Sequence, residues 1–121
     1  MQDFERELGD RLLDFAVDVV ALVPRLQRTA TGRYFVGQLV RAASSAGANF
    51  QEARGAESRA DFVHKLQVVL KELRESEYWM KLVLRAKLVP ADLLSKPLAE
   101  ADELVRIVVK SVVTVKSRLQ L

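Results

Sequence analysis

From Gln38 to Glu52 the polar residues Gln38, Arg41, Ser45, Asn49 and Glu52 fall 3, 4, 4 and 3 positions apart. That rhythm matches the turn of an α-helix and not the two-residue repeat of a strand, so the stretch carries a polar line along one helical face. Phe35, Leu39, Ala42, Ala43, Ala46, Phe50 and Ala53 flank the line with apolar, mostly small side chains, a surface onto which neighbouring helices can close. Gly47 lies inside the pattern, where glycine costs about 1 kcal/mol relative to alanine. A close backbone approach is the expected reason for its presence.

Three more segments share this periodicity. Over residues 3–23, Leu8, Leu12, Phe15, Val19 and Leu22 form one line with Leu13, Ala16, Val20 and Val23 beside it, a wide apolar face. Pro24 disturbs or ends that helix. Thr29 to Gly32 reads as a turn, with Thr31 as N-cap of a second helix over 32–54. Gly55 then serves as C-cap, and Ser58, with Asp61 behind it, as N-cap of a third helix over 59–87. The short link makes helices two and three antiparallel neighbours. The third helix buries Phe62, Leu66, Val69, Leu73, Met80 and Val83, with Ser76 interrupting the line and Trp79 and Leu82 alongside; Pro90 stops it.

The fourth helix starts after Pro90, by Ser95 at the latest, and runs to Leu119. Leu94, Leu98, Ala101, Val105, Val108, Val112, Val115 and Leu119 alternate spacings of 4 and 3, a heptad seam. The β-branched run Val105 to Val115 favours a strand on propensity alone, but a single strand among three helices has no partner. Ile107, Val109 and Val113 lie off the seam, and this surplus apolar surface points to burial against another subunit. The reading is all-α: one domain, residues 1–121, an antiparallel up-down-up-down four-helix bundle.

Composition narrows the function classes. With no cysteine, thiol catalysis, cysteine-based zinc sites and disulfides are excluded, in keeping with a cytoplasmic protein. The start is acidic, and no uncharged apolar run reaches membrane-spanning length, so neither export nor a membrane is expected. The formal net charge is +3 and unevenly spread: residues 1–30 carry a net −2 and residues 58–90 a net +3.

The single histidine, His64, with Asp61 three positions before it, is one half of a di-iron motif that needs two, so no metal or other cofactor is expected. Glu72 and Glu75, one turn apart, form an acid and base pair on paper. A structural role accounts for them better: Arg41 and Gln38 of the antiparallel helix two can meet them in a charged network that fixes register. Ser44, Ser45, Ser58 and Ser76 lack a nucleophile elbow, and no glycine-rich phosphate loop is present. No catalytic residue is assigned.

His64, Gln67, Lys71, Arg74, Tyr78, Lys81 and Arg85 recur every 3 or 4 positions as a basic outer stripe on helix three. With Arg54 and Arg59 at the adjacent turn, Lys71, Arg74, Tyr78, Lys81 and Arg85 are the candidate contacts to RNA or DNA. The alternative is a solvated face balanced by Glu75 and Glu77, belonging to a protein-only interaction module.

The seam Gln38-Leu39-x-Arg41-Ala42-x-x-Ser45-x-x-x-Asn49-x-x-Glu52-Ala53, the run Ser58-Arg59-x-Asp61-Phe62-Val63-His64-Lys65-Leu66, and Leu70-Lys71-Glu72-x-x-Glu75-Ser76-x-Tyr78-Trp79-Met80 together resemble a bacterial family. It is the four helix bundle proteins found as open reading frames in intervening sequences of 23S ribosomal RNA genes. Near the end of helix two this chain departs from the usual family pattern, with Arg54 displacing the glycine to Gly55. The resemblance implies a left-handed bundle that forms a homopentamer, with no established catalytic activity. It also implies a fold similar to the accessory variability determinant of diversity-generating retroelements, whose partners are a reverse transcriptase and nucleic acid.

Overall fold

The computed structural model describes residues 2–119, the side chain of Leu119 excepted. Four long helices and one short one account for nearly all of them: α1 (Gln2–Val20), α2 (Val23–Leu26), α3 (Ala30–Arg54), α4 (Arg59–Arg85) and α5 (Asp92–Leu119). No strand occurs among the described residues, and the valine-rich run lies within α5.

The helix ends follow from local chemistry. The ring of a proline clashes with the carbonyl four residues earlier, and α1 stops at Val20, four before Pro24. Pro24 then sits in the first turn of α2, where its missing N–H costs nothing. The cap of α3 is Thr29 and not Thr31: the Thr29 hydroxyl accepts from Gly32 N at 3.0 Å. The earlier start sets Gly32 against the end of α2, where a Cβ would lie 1.9 Å from the Leu26 carbonyl oxygen. Gly55 caps α3 and Ser58 caps α4, its hydroxyl accepting from Asp61 N at 3.0 Å. Beyond α4, Lys87 adopts a left-handed φ of 57°. Leu88 N donates to Val83 O and Lys87 N to Leu84 O, the paired bonds of a Schellman motif with lysine in the position that favours glycine. Helix α5 begins at Asp92, so Pro97 falls inside it and is buried.

Packing is closest between α3 and α4, then between α4 and α5 and between α1 and α3, while α1 meets α5 more lightly. The core between them is filled by Leu12, Phe15, Leu39, Phe50, Leu66, Leu73, Met80, Leu94 and Leu104. Ala42, Ala43 and Ala46 are fully buried, as the small-residue surface of α3 requires.

Two apolar expectations are corrected. The buried face of α1 is narrow: Leu13 is 62% exposed and Val20 51%, and with Val17 at 58% they form an outward apolar stripe one and two turns apart. On α5 the seam is centred about one residue earlier, burying Leu104 and leaving Leu98, Val105 and Val115 half-buried. Ile107 packs on the core and Val109 is half-buried, so Val113, 62% exposed, is the outward remainder of the surplus. Leu119, the last seam position, has its side chain outside the described residues. No helix among the described residues is long and apolar enough to cross a membrane.

Candidate nucleic-acid interface

The polar line of α3 meets α4 through two of its members. Arg41 donates to Glu72 Oε2 at 3.3 Å and also engages Glu75 Oε2. Glu52 pairs with Lys65 at 3.0 Å. Ascending numbers on α3 thus meet descending numbers on α4, and the two contacts, 11 residues apart on α3, lie roughly 16 Å from each other.

The same Glu75 oxygen accepts the Trp79 indole N–H at 3.1 Å. This bond and the Arg41 guanidinium hold the Glu75 carboxyl below its usual range, and Glu75 in turn favours the charged form of Arg41. Glu72 is buried at 8% exposure, whereas half of the Arg41 side chain remains in solvent.

The other seam residues serve α3 itself. Asn49 Nδ2 donates to Ser45 O at 2.9 Å and to Ser45 Oγ at 3.0 Å, so neither residue bridges to α4. A short amide finds the carbonyl four residues back before it can span an interhelical gap. Gln38 is half-buried beside the network without a hydrogen bond in it. Registration therefore rests on Arg41 and Glu52.

All seven residues of the α4 stripe, His64, Gln67, Lys71, Arg74, Tyr78, Lys81 and Arg85, are exposed. They span 22 residues, or roughly 30 Å of helix. Among the described residues, Lys71, Arg74, Lys81 and Arg85 form no ion pair. Of the two acids expected to balance them, Glu75 is engaged elsewhere and Glu77 makes no ion pair among the described residues. Glu75 is held by Arg41 and Trp79, and Glu77 is half-buried near Asp102 of α5, where burial raises its pKa against the pull of Lys81 and Arg74. Arg54 and Arg59 are exposed at the far end of the stripe, where they line a cleft with Glu5 and Arg118.

One component escaped the sequence reading. Tyr34 and Phe35 of α3 meet Trp79 of α4, with ring centroids 6.2 and 5.7 Å away, and Tyr78 packs on Trp79 at 5.4 Å. The signal was present in the Arg41–Glu75 pairing: two turns before Arg41 and one turn after Glu75 bring Tyr34 and Trp79 opposite each other.

The α1–α5 contact was also missed. Arg11 forms a two-pronged bond to Glu100, at 2.7 and 3.0 Å, and reaches Glu103 at 3.3 Å; Lys96 meets Asp18 at 3.5 Å. A lone arginine beside the Leu8–Leu12–Phe15 line was its signal. An acidic cleft of about 470 Å³ lies here, bordered by Asp14, Asp18, Glu100 and Glu103. A mainly apolar cleft of about 430 Å³ opens where Phe4, Leu8, Phe50, Phe62 and Ile107 converge. Neither cleft includes Glu72 or Glu75. Among the described residues, no group of three or more His, Asp or Glu side chains is placed to hold a metal ion.

The chain is similar to known proteins over most of its length. Residues 8–110 match the family described as 23S rRNA-intervening sequence protein. A crystal structure of a protein with unknown function from the S23 ribosomal protein family of Bacteroides thetaiotaomicron is 31% identical. The likeness covers 87% of this chain and 97% of that one, with a TM-score of 0.78. No curated protein matches. The family match spans the whole candidate interface, from the α3 seam to the end of the α4 stripe, and the chain belongs to the 23S rRNA-intervening sequence protein family.

Proposed function

We propose that this chain is a non-enzymatic accessory protein of the cytoplasm that binds nucleic acid through the outer face of α4. The observation that carries the reading is the set of cations at Lys71, Arg74, Lys81 and Arg85, free of ion pairs among the described residues, beside Glu75, which Arg41 already engages, and Glu77, which is partly withdrawn by burial. A linear array of unneutralised cations displaces condensed counterions from a phosphate backbone, and that release drives association.

Further parts of the proposal rest on separate features. The whole chain acts as one domain, a left-handed bundle whose helices alternate in direction, as the descending register of Arg41–Glu72 and Glu52–Lys65 supports. It assembles as a homo-oligomer, a pentamer by resemblance, burying the outward apolar residues Leu13, Val17, Val20 and Val113. The likeness to the accessory variability determinant extends the partners to a protein such as a reverse transcriptase. Engagement of Glu72 and Glu75 by Arg41, outside the acidic and apolar clefts, supports a structural role for both carboxylates.

A second reading, a protein-only interaction module, draws on that same apolar stripe of α1. Reversing charge with Arg74→Glu and Lys81→Glu separates the two. The proposal requires loss of RNA binding with the assembled mass unchanged; retention of binding would remove it.

A further inference from the structure

Tyr34 and Tyr78 stand 60% and 59% exposed on either side of Trp79. Aromatic rings bring the largest gain from burial of any side chains, so two left in water beside each other need a reason beyond the core. Both pack edgewise on the indole, at interplanar angles of 80° for Tyr34 and 76° for Tyr78. The indole is fixed in turn by its bond to Glu75, which Arg41 engages from α3. The three rings therefore form a ridge across α3 and α4 that is already oriented before any ligand arrives. Cations border it, because Arg74 and Lys81 lie one turn either side of Tyr78 on the same exposed face.

A surface that recognised charge alone would have no use for the rings. A duplex would have none either, since its bases are stacked on each other and an A-form major groove is too narrow to admit side chains. Unpaired bases can stack on exposed rings whatever their identity, while their phosphates rest on flanking cations. We infer that the Tyr34–Trp79–Tyr78 ridge stacks the bases of a single-stranded polynucleotide whose backbone runs along Arg74 and Lys81. This rests on the basic-stripe reading above and adds to it the unpaired state of the ligand.

Trp79 is the single tryptophan of the chain and reports directly on the ridge. Oligouridylate and oligothymidylate of equal length are expected to quench its fluorescence alike, because stacking does not sense the 2′-hydroxyl. Duplex RNA of that length should bind about 10-fold more weakly, and inorganic polyphosphate should compete for the site without quenching. Measured with labelled oligonucleotides, Tyr34→Leu and Tyr78→Leu should each weaken single-strand binding about 10-fold while the salt dependence is unchanged, and Tyr78→Phe should restore it. Duplex binding as tight as single-strand binding, or full affinity in both leucine variants, would overturn the inference and leave the stripe standing. No binding of any polyanion would remove both.

Discussion

Trp79 donates its indole N–H to Glu75 Oε2 at 3.1 Å, one turn back on the same helix, and that oxygen is the one Arg41 engages from α3. A single carboxylate thus joins the aromatic ridge to the contact that sets helix register. Arg41→Ala should lower stability by about 1 kcal/mol in urea melts, a figure held down because half of the side chain faces solvent. The cost arises from leaving the nearly buried Glu72 without its cation. Unchanged stability would mean that the register is set elsewhere.

The same oxygen gives stability a pH dependence of known sign. The folded chain holds Glu75 below its ordinary 4.5, so its contribution is complete above about that pH and is lost as pH falls through the depressed value. Trp79→Phe removes the indole donor and should move this loss to higher pH. Glu77 acts in the opposite sense: burial raises its pKa, so its contribution is present in acid and lost as pH rises through the raised value. Glu77→Gln should flatten that second dependence. Carboxyl titrations by NMR would follow both groups.

Two glycines of α3 should respond with opposite signs. Gly32→Ala places a Cβ 1.9 Å from the Leu26 carbonyl oxygen and should cost about 1–3 kcal/mol. At Gly47 the nearest atom would be Leu12 Cβ, at an ordinary 3.6 Å, so Gly47→Ala should gain up to about 1 kcal/mol. Thermal melts of the pair check both.

The helix ends yield a third contrast. Thr29→Ala removes the hydroxyl that caps α3 and should cost about 1 kcal/mol, whereas Thr31→Ala should be close to neutral. Lys87→Gly relieves a left-handed lysine and should stabilise by about 0.5–1 kcal/mol.

The outward stripe of α1 tests assembly. Leu13→Lys with Val17→Lys should reduce the mass in solution to that of one chain while helicity by circular dichroism is kept, because neither side chain contributes to the core. An unchanged mass would place any subunit contact elsewhere.

Much of this architecture was legible in the sequence because helix periodicity and caps are local signals. The lines through Leu39, Ala46 and Phe50, and through Leu66, Leu73 and Met80, read directly as buried faces. Arg41 with Glu72 and Glu75 was also legible, since a short turn fixes which residues of α3 and α4 face each other. Leu13 and Val20 misled because periodicity sees hydrophobicity, while the width of a buried face depends on how closely neighbouring helices wrap it. Thr31 misled because either threonine can serve as a cap on sequence alone, and the hydroxyl that accepts from Gly32 N is that of Thr29. Arg11 with Glu100 joins helices far apart in the chain, which periodicity alone does not bring together, and Tyr34 with Trp79 follows only once the Arg41–Glu75 register is known.

The central claim is that Lys71, Arg74, Lys81 and Arg85 hold a nucleic-acid backbone. The salt dependence of single-strand binding tests it most directly. If all four cations contact phosphates, log K should fall against log salt with a slope of about −3, and Arg74→Glu with Lys81→Glu should cut that slope by roughly half. A slope near zero, or one that the two reversals leave unchanged, would contradict the account.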